Sequence, residues 1–210
     1  MKKPATMLVT LLVLFGFAIL PAVALEAPVV TLERIEVASI QPFFVAPRIG
    51  YKSEKEPGEE MKKPGYSSTL NLAYVFNIKN PNKQPVMLDE MQFTAEFEGF
   101  EVNTALAYED AWIPAGKTNQ LRVVSTTEAF PTMVSLMVGA ENSARIQKMN
   151  TSAGALVNKW FDTVSDFSFP IGVTNGTALF KDEKGKEMRS TFSATWGKKE
   201  EKKEEAKEKH

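Results

Sequence analysis

Between residues 70 and 78 apolar side chains alternate with their neighbours, so that Leu70, Leu72, Tyr74, Phe76 and Ile78 share one side of an extended chain. That pattern predicts a strand with one buried face. It ends at Asn80-Pro81-Asn82, where the proline has no N–H to donate and disfavours the α region for Asn80, while asparagine side chains close local turns. Upstream, Pro28 to Ala46 reads as a strand region whose apolar positions Val30, Leu32, Ile35, Val37 and Ile40 slip out of phase between Leu32 and Ile35; a bulge there restores the register. Downstream, Met91, Phe93, Ala95 and Phe97 alternate, turn at Glu98-Gly99 and resume at Phe100 and Val102 as a hairpin-like pair. A corner at Trp112–Thr118 precedes a strand through Leu121 and Val123 to about Ser125. Phe167, Phe169, Ile171 and Val173, then Ala178 and Phe180, lead across the polar turn Lys181–Glu187 to Met188, Ser190, Phe192, Ala194 and Trp196, a closing antiparallel hairpin.

From Pro131 to Asp162 the period changes. Met133, Leu136, Met137, Ala140 and Ala144 fall on one helical stripe, and Ala153–Phe161 is the place for a second short helix. The chain is therefore expected to be mainly β: an antiparallel, immunoglobulin/fibronectin-like β-sandwich with one or two helices in its C-terminal half.

The domain spans 25–197, and three segments of the chain differ in character from its strands and helices, the first of them an insertion within it. Residues 48–67 mix lysine and glutamate with Pro57, Gly58, Pro64 and Gly65 and read as a charged surface insertion. Residues 198–210 repeat pairs of like charges at a spacing that disfavours a helix, which reads as a disordered charged tail. Residues 1–24 begin with Lys2-Lys3, continue through an uncharged apolar run from Met7 to Leu20 and offer Ala22 and Ala24 as a cleavage site for a signal peptidase. Read so, the protein is exported, to a periplasmic or other extracytoplasmic space. In the competing reading the run 7–25 is an uncleaved transmembrane anchor, which Pro21 disfavours.

Composition narrows the chemistry. The 210 residues contain no cysteine and a single histidine, His210, which removes disulfides, thiolate chemistry and histidine-based triads or metal clusters. A net charge of −1 gives no electrostatic case for nucleic acid. Gly172 and Gly176 lack phosphate-loop spacing and read as bulge or turn positions. Asp89-Glu90, Glu96, Glu98 and Glu101 are the carboxylates that a Ca²⁺ site or an acid–base pair would use, but their alternation with apolar residues makes them the solvated face of a half-buried sheet. No catalytic residue, metal site or cofactor is expected. Phe43, Phe44, Trp112, Trp160 and Phe161 are the aromatic residues that alternation explains least; they are either core or an apolar partner surface.

Taken together, the alternating strand, Asn80-Pro81-Asn82, the Met91–Phe100 strand and the turn Ile113-Pro114-Ala115-Gly116 give the chain a family likeness. It resembles the water stress and hypersensitive response (WHy) domain of late embryogenesis abundant (LEA) type 2 proteins over most of Pro28 to Gly197. The charged insertion and the long helical stretch depart from that pattern. The resemblance implies an antiparallel β-sandwich, a role in desiccation tolerance or another stress response without catalysis, and a structural part for the two motifs. Its expected partners are proteins or a membrane surface. Two further readings remain beside it: an accessory subunit held in a membrane complex through residues 7–25, and a lipid-binding module.

Overall fold

The computed structural model describes residues 25–41 and 68–197. The leader with Ala22 and Ala24, the aromatic pair Phe43 and Phe44, the insertion 48–67 and the tail 198–210 lie outside the described residues. Seven strands, β1 (Val29–Gln41), β2 (Thr69–Lys79), β3 (Val86–Phe97), β4 (Phe100–Ile113), β5 (Thr118–Glu128), β6 (Ile171–Lys181) and β7 (Glu187–Trp196), form two antiparallel sheets ordered β1-β2-β5 and β4-β3-β6-β7. They pack as a β-sandwich, with β1 approaching β7 along one side and β5 approaching β4 along the other.

The central strand is the one that the alternation marked first. Leu70, Leu72, Tyr74, Phe76 and Ile78 are all buried, and the rings of Tyr74 and Phe76 meet Phe93 of the facing sheet at centroid distances of 4.9 and 5.2 Å, while Phe76 reaches Phe192 at 5.3 Å. Tilted and edge-on aromatic contacts of this kind add to the area they bury. Burial pushes the Tyr74 hydroxyl well above its ordinary value of 10. The unfolded chain therefore loses this proton first, and the stability fully present below pH 10 falls as the pH climbs from there toward the folded value. An unfolding titration between pH 9 and 12 is expected to show stability dropping by up to ~1.4 kcal/mol per pH unit, with Tyr74→Phe abolishing that share of the slope.

The slip between Leu32 and Ile35 is a register shift at Leu32/Arg34, joined by a second at Val37/Ser39. Another irregularity, between Val173 and Gly176, falls at one of the glycines expected to permit it: a Cβ on Gly176 would lie 2.5 Å from the Phe192 ring and from its carbonyl oxygen. β4 runs on to Ile113, farther than its alternation indicates, because as an edge strand it keeps polar residues such as Glu109 and Asp110 in water.

The helical region forms α1 (Ala129–Val138), α2 (Ala140–Lys148) and α3 (Ala153–Thr163), followed by a 3-10 turn at Val164–Asp166. The single stripe expected across Met133, Leu136, Met137, Ala140 and Ala144 does not form. Gly139, in extended conformation (φ −76°, ψ 123°), divides the stretch into two helices and changes the facing direction. Leu136 is buried and Met133 packs partly against the core, but Met137 is 61% exposed, Ala140 and Ala144 are exposed, and Ile146 takes the buried place on α2. Ser152 caps α3 by accepting a hydrogen bond from the Ala155 N–H at 3.2 Å.

Candidate functional site

At one end of the sandwich, where β2 passes to β3 and β4 to β5, the two sequence motifs meet. The Asn80 side chain is fully buried. Its Nδ2 donates to the carbonyls of Gln84 (2.9 Å), Ile113 (3.1 Å) and Pro114 (3.3 Å), and its Oδ1 accepts from the N–H of Asn82 (2.9 Å) and from Asn82 Nδ2 (3.0 Å). Backbone bonds tie the same turns, Asn80 N–H to Lys117 O at 2.9 Å and Gly116 N–H to Asn82 O at 3.0 Å. Within the second turn Lys117 N–H donates to Pro114 O, and Gly116 sits at φ 67°, the left-handed conformation that such a turn reserves for glycine. Asn82 carries the network to the start of the domain: its Oδ1 accepts from Glu26 N–H at 2.9 Å and its Nδ2 donates to Glu26 O at 2.8 Å.

This knot of neutral amides and carbonyls contains no nucleophile and no titratable side chain. Its chemistry is to satisfy buried backbone groups where two sheets and the domain start converge. Asn80, Pro81, Asn82, Ile113, Pro114, Ala115 and Gly116 are thus brought together in space.

The aromatic candidates do not form one surface. Trp160 and Phe161 lie in the core at 0% and 4% exposure, because α3 folds back over the β3–β4 hairpin, and neither is available to a partner. Trp112 is 48% exposed on the outer face of the four-stranded sheet, where Leu106 (48%) and Tyr108 (73%) also project. The alternation of Leu106 and Tyr108 would have marked them from sequence. Trp112 borders an open hollow of about 390 Å³ with Pro85, Pro114 and Glu183.

Glu98 is not a solvated residue either. It occupies the hairpin tip at φ 51°, with Oε1 2.6 Å from Lys159 Nζ and Oε2 accepting from Trp160 Nε1 at 2.7 Å. Arg145 lies over the Phe100 ring at 4.1 Å and donates to Gly99 O at 2.8 Å and Glu98 O at 3.3 Å. Sequence spacing gives no hint of this clamp, which joins residues of α2 and α3 to a hairpin tip distant in the chain. Glu96 accepts from Thr174 Oγ1 at 2.8 Å, and Asp89 pairs with Lys181 at 2.8 Å, a hydrogen bond that raises the lysine's pKa. On the outer face of the three-stranded sheet Arg34 bridges Glu33 and Glu36, both at 2.7 Å, and its hydrogen bond holds the Glu36 carboxyl below the usual range.

The architecture defines a class, an antiparallel β-sandwich capped at one end by helices. No protein-family model and no curated protein matches the sequence. Among solved structures the chain is similar to a Northeast Structural Genomics Consortium target at 10% identity and a TM-score of 0.41, covering 88% of this chain and 96% of that one. It is also similar to a protein from Archaeoglobus fulgidus at 8% identity and a TM-score of 0.37, covering 80% of this chain and 98% of that one.

Proposed function

We propose that the chain is a non-enzymatic, exported β-sandwich module of the LEA type 2 kind that protects proteins or membranes under desiccation or a related stress. The observation that supports this reading is the knot itself. The two motifs on which the resemblance rests engage their polar groups with one another and with Glu26, as parts of a scaffold do. Glu96 and Glu98, two of the carboxylates that an acid–base pair would use, are held by Thr174, Lys159 and Trp160. Protection then belongs to the hydrated surface rather than to any one residue. Dried with a desiccation-sensitive test enzyme, the purified protein is expected to preserve more activity than an equal mass of an inert protein; equal recovery overturns the reading.

A second reading, an accessory subunit anchored through residues 7–25, is favoured by the fixed position of Glu26. Its two hydrogen bonds to Asn82 hold residue 26 at the knot. Among the described residues no helix is long and apolar enough to cross a membrane. Gentle membrane extraction separates the readings: a stoichiometric membrane partner supports the second, and a free monomer counts against it.

A further inference from the structure

We infer that Asn175-Gly176 is a site of spontaneous covalent modification, at which asparagine is converted to aspartate and isoaspartate within β6. Asparagine is a thermolabile residue, and the reaction needs its side-chain amide, a following residue with no Cβ in the way, and backbone freedom for the two to meet. Asn175 is the one asparagine of the chain that glycine follows. The fold itself dictates the pair. Residue 175 sits at φ 51°, a left-handed conformation that asparagine tolerates better than most side chains. Residue 176 has to be glycine, since a Cβ there would lie 2.5 Å from the Phe192 ring and carbonyl oxygen. The bulge in β6 thus sets the two reactive groups side by side.

The surroundings leave the pair free to react. Asn175 has no partner in either ladder: pairing with β3 passes from Thr174 to Thr177, and pairing with β7 passes from Val173 to Gly176. Its side chain is exposed and makes no hydrogen bond to a described residue, and an open hollow of about 650 Å³ beside Gly176, Thr177 and Phe192 gives water access. Every other asparagine lacks one of these conditions. Asn71, Asn80, Asn82, Asn103 and Asn119 have their amides engaged. Asn142 and Asn158 lie within helices, and Asn77 is paired on both sides. Asn150 shares the φ of 51°, but the β-branched Thr151 follows it.

In the first step the Gly176 amide nitrogen loses its proton to hydroxide and attacks Asn175 Cγ. The new C–N bond closes a succinimide ring, and the bond from Cγ to Nδ2 breaks with release of ammonia. Water then opens the ring. Attack at the side-chain carbonyl gives aspartate; attack at the main-chain carbonyl gives isoaspartate, whose backbone runs through Cβ and Cγ and is one carbon longer. Nothing is oxidised or reduced, and the sum is asparagine plus water to a carboxylate plus ammonia. Because β6 lies between β3 and β7, the longer link falls in an inner strand of the four-stranded sheet. The inference rests on β6 alone and is independent of protection through drying.

The test holds the full chain in warm buffer at mildly alkaline and mildly acidic pH, beside a sample unfolded in urea, and follows intact mass and peptide maps that separate aspartate from isoaspartate. The expected result is a gain of one dalton per converted chain, mapped to residue 175 ahead of every other asparagine. Conversion is expected to be faster at alkaline pH, where the Gly176 amide loses its proton more readily, and to proceed in the folded chain at a rate of the same order as in urea. Asn175→Gly, which suits the left-handed backbone, is expected to fold and to abolish the gain at that position. No gain at residue 175 of the folded chain, whether or not the urea sample converts, overturns the inference, and so does earlier conversion of another asparagine.

Discussion

Asn80→Ala is expected to lower the unfolding free energy by about 3–5 kcal/mol and the melting temperature by about 10 °C, although it removes only a small polar side chain. The cost comes from what is left behind. Gln84 O and Ile113 O lose a donor at 2.9 and 3.1 Å, and Asn82 N–H loses an acceptor at 2.9 Å, in a place where Asn80 itself is fully buried. Unpaired buried groups of this kind cost about 1–3 kcal/mol each, and water entering the vacated space recovers part of it. Denaturant titration followed by far-UV circular dichroism checks the size, with a lower midpoint at unchanged slope as the expected form.

Asn80→Asp separates the hydrogen-bond argument from simple loss of volume. The two side chains have nearly the same shape, but a carboxylate offers no hydrogen to the carbonyls of Gln84, Ile113 and Pro114 and faces them with negative charge. Its folded-state pKa is therefore raised above the usual 3.9, so its destabilisation grows as the pH rises above that unfolded value and shrinks as acid protonates the group and restores a donor. A difference between Asn80→Asp and the parent protein that does not change between pH 4 and pH 7 contradicts the assigned role. Asn82→Ala leaves Asn80 bonded to Gln84 and Ile113 but frees Glu26, so its effect is expected to be smaller and to appear first as loss of amide protection at Glu26.

The periodic parts of the chain were legible in sequence for a physical reason: β2, β3 and β7 each turn one face to the core, and a core face forces apolar residues to alternate, although Ala73 and Val75 on the other face of β2 are buried as well. That one constraint located the central strand, the closing hairpin and the bulge near Leu32. The same logic failed where burial does not follow a single period. β4 is exposed along much of both faces, so nothing in its alternation fixes its end at Ile113. Gly139 redirects the helical stretch, and a stripe counted across it joins residues that never share a face. The two motifs were visible as turns, but their meeting was not, because contacts from Asn80 to Ile113 and from Asn82 to Glu26 depend on how the strands pair. Trp160 illustrates another limit: an aromatic residue that periodicity does not explain was open to either a surface or a core role, and long-range packing decided for the core.

Trp160 carries the second large effect. Trp160→Ala is expected to cost about 3–5 kcal/mol, the range for deleting a large buried aromatic side chain. Its ring packs against Phe97 at 5.5 Å, Phe100 at 5.9 Å and Phe169 at 6.4 Å, so truncation opens a cavity among three other rings at the helical end of the sandwich. Glu98 is not stranded by the change, because Lys159 remains 2.6 Å from its Oε1. The loss is therefore mainly one of packing, and Trp160→Phe, which keeps a single six-membered ring, loses part of the indole's volume and drops the Nε1 bond at 2.7 Å, is expected to cost less, about 1–3 kcal/mol. The damage should also be local in its first expression. α2 and α3 hold the hairpin tip through Arg145, Lys159 and Trp160, whereas β2 and β3 meet through Tyr74, Phe76 and Phe93 at a separate part of the core. Native-state hydrogen exchange on Trp160→Ala is thus expected to show amides of α3 exchanging through an opening well below the global unfolding energy, while β2 and β3 stay protected until global unfolding. If protection falls equally in the helices and the strands, the helical cap and the sandwich are one cooperative unit, and the ring cluster around Trp160 belongs to the same core as Phe76.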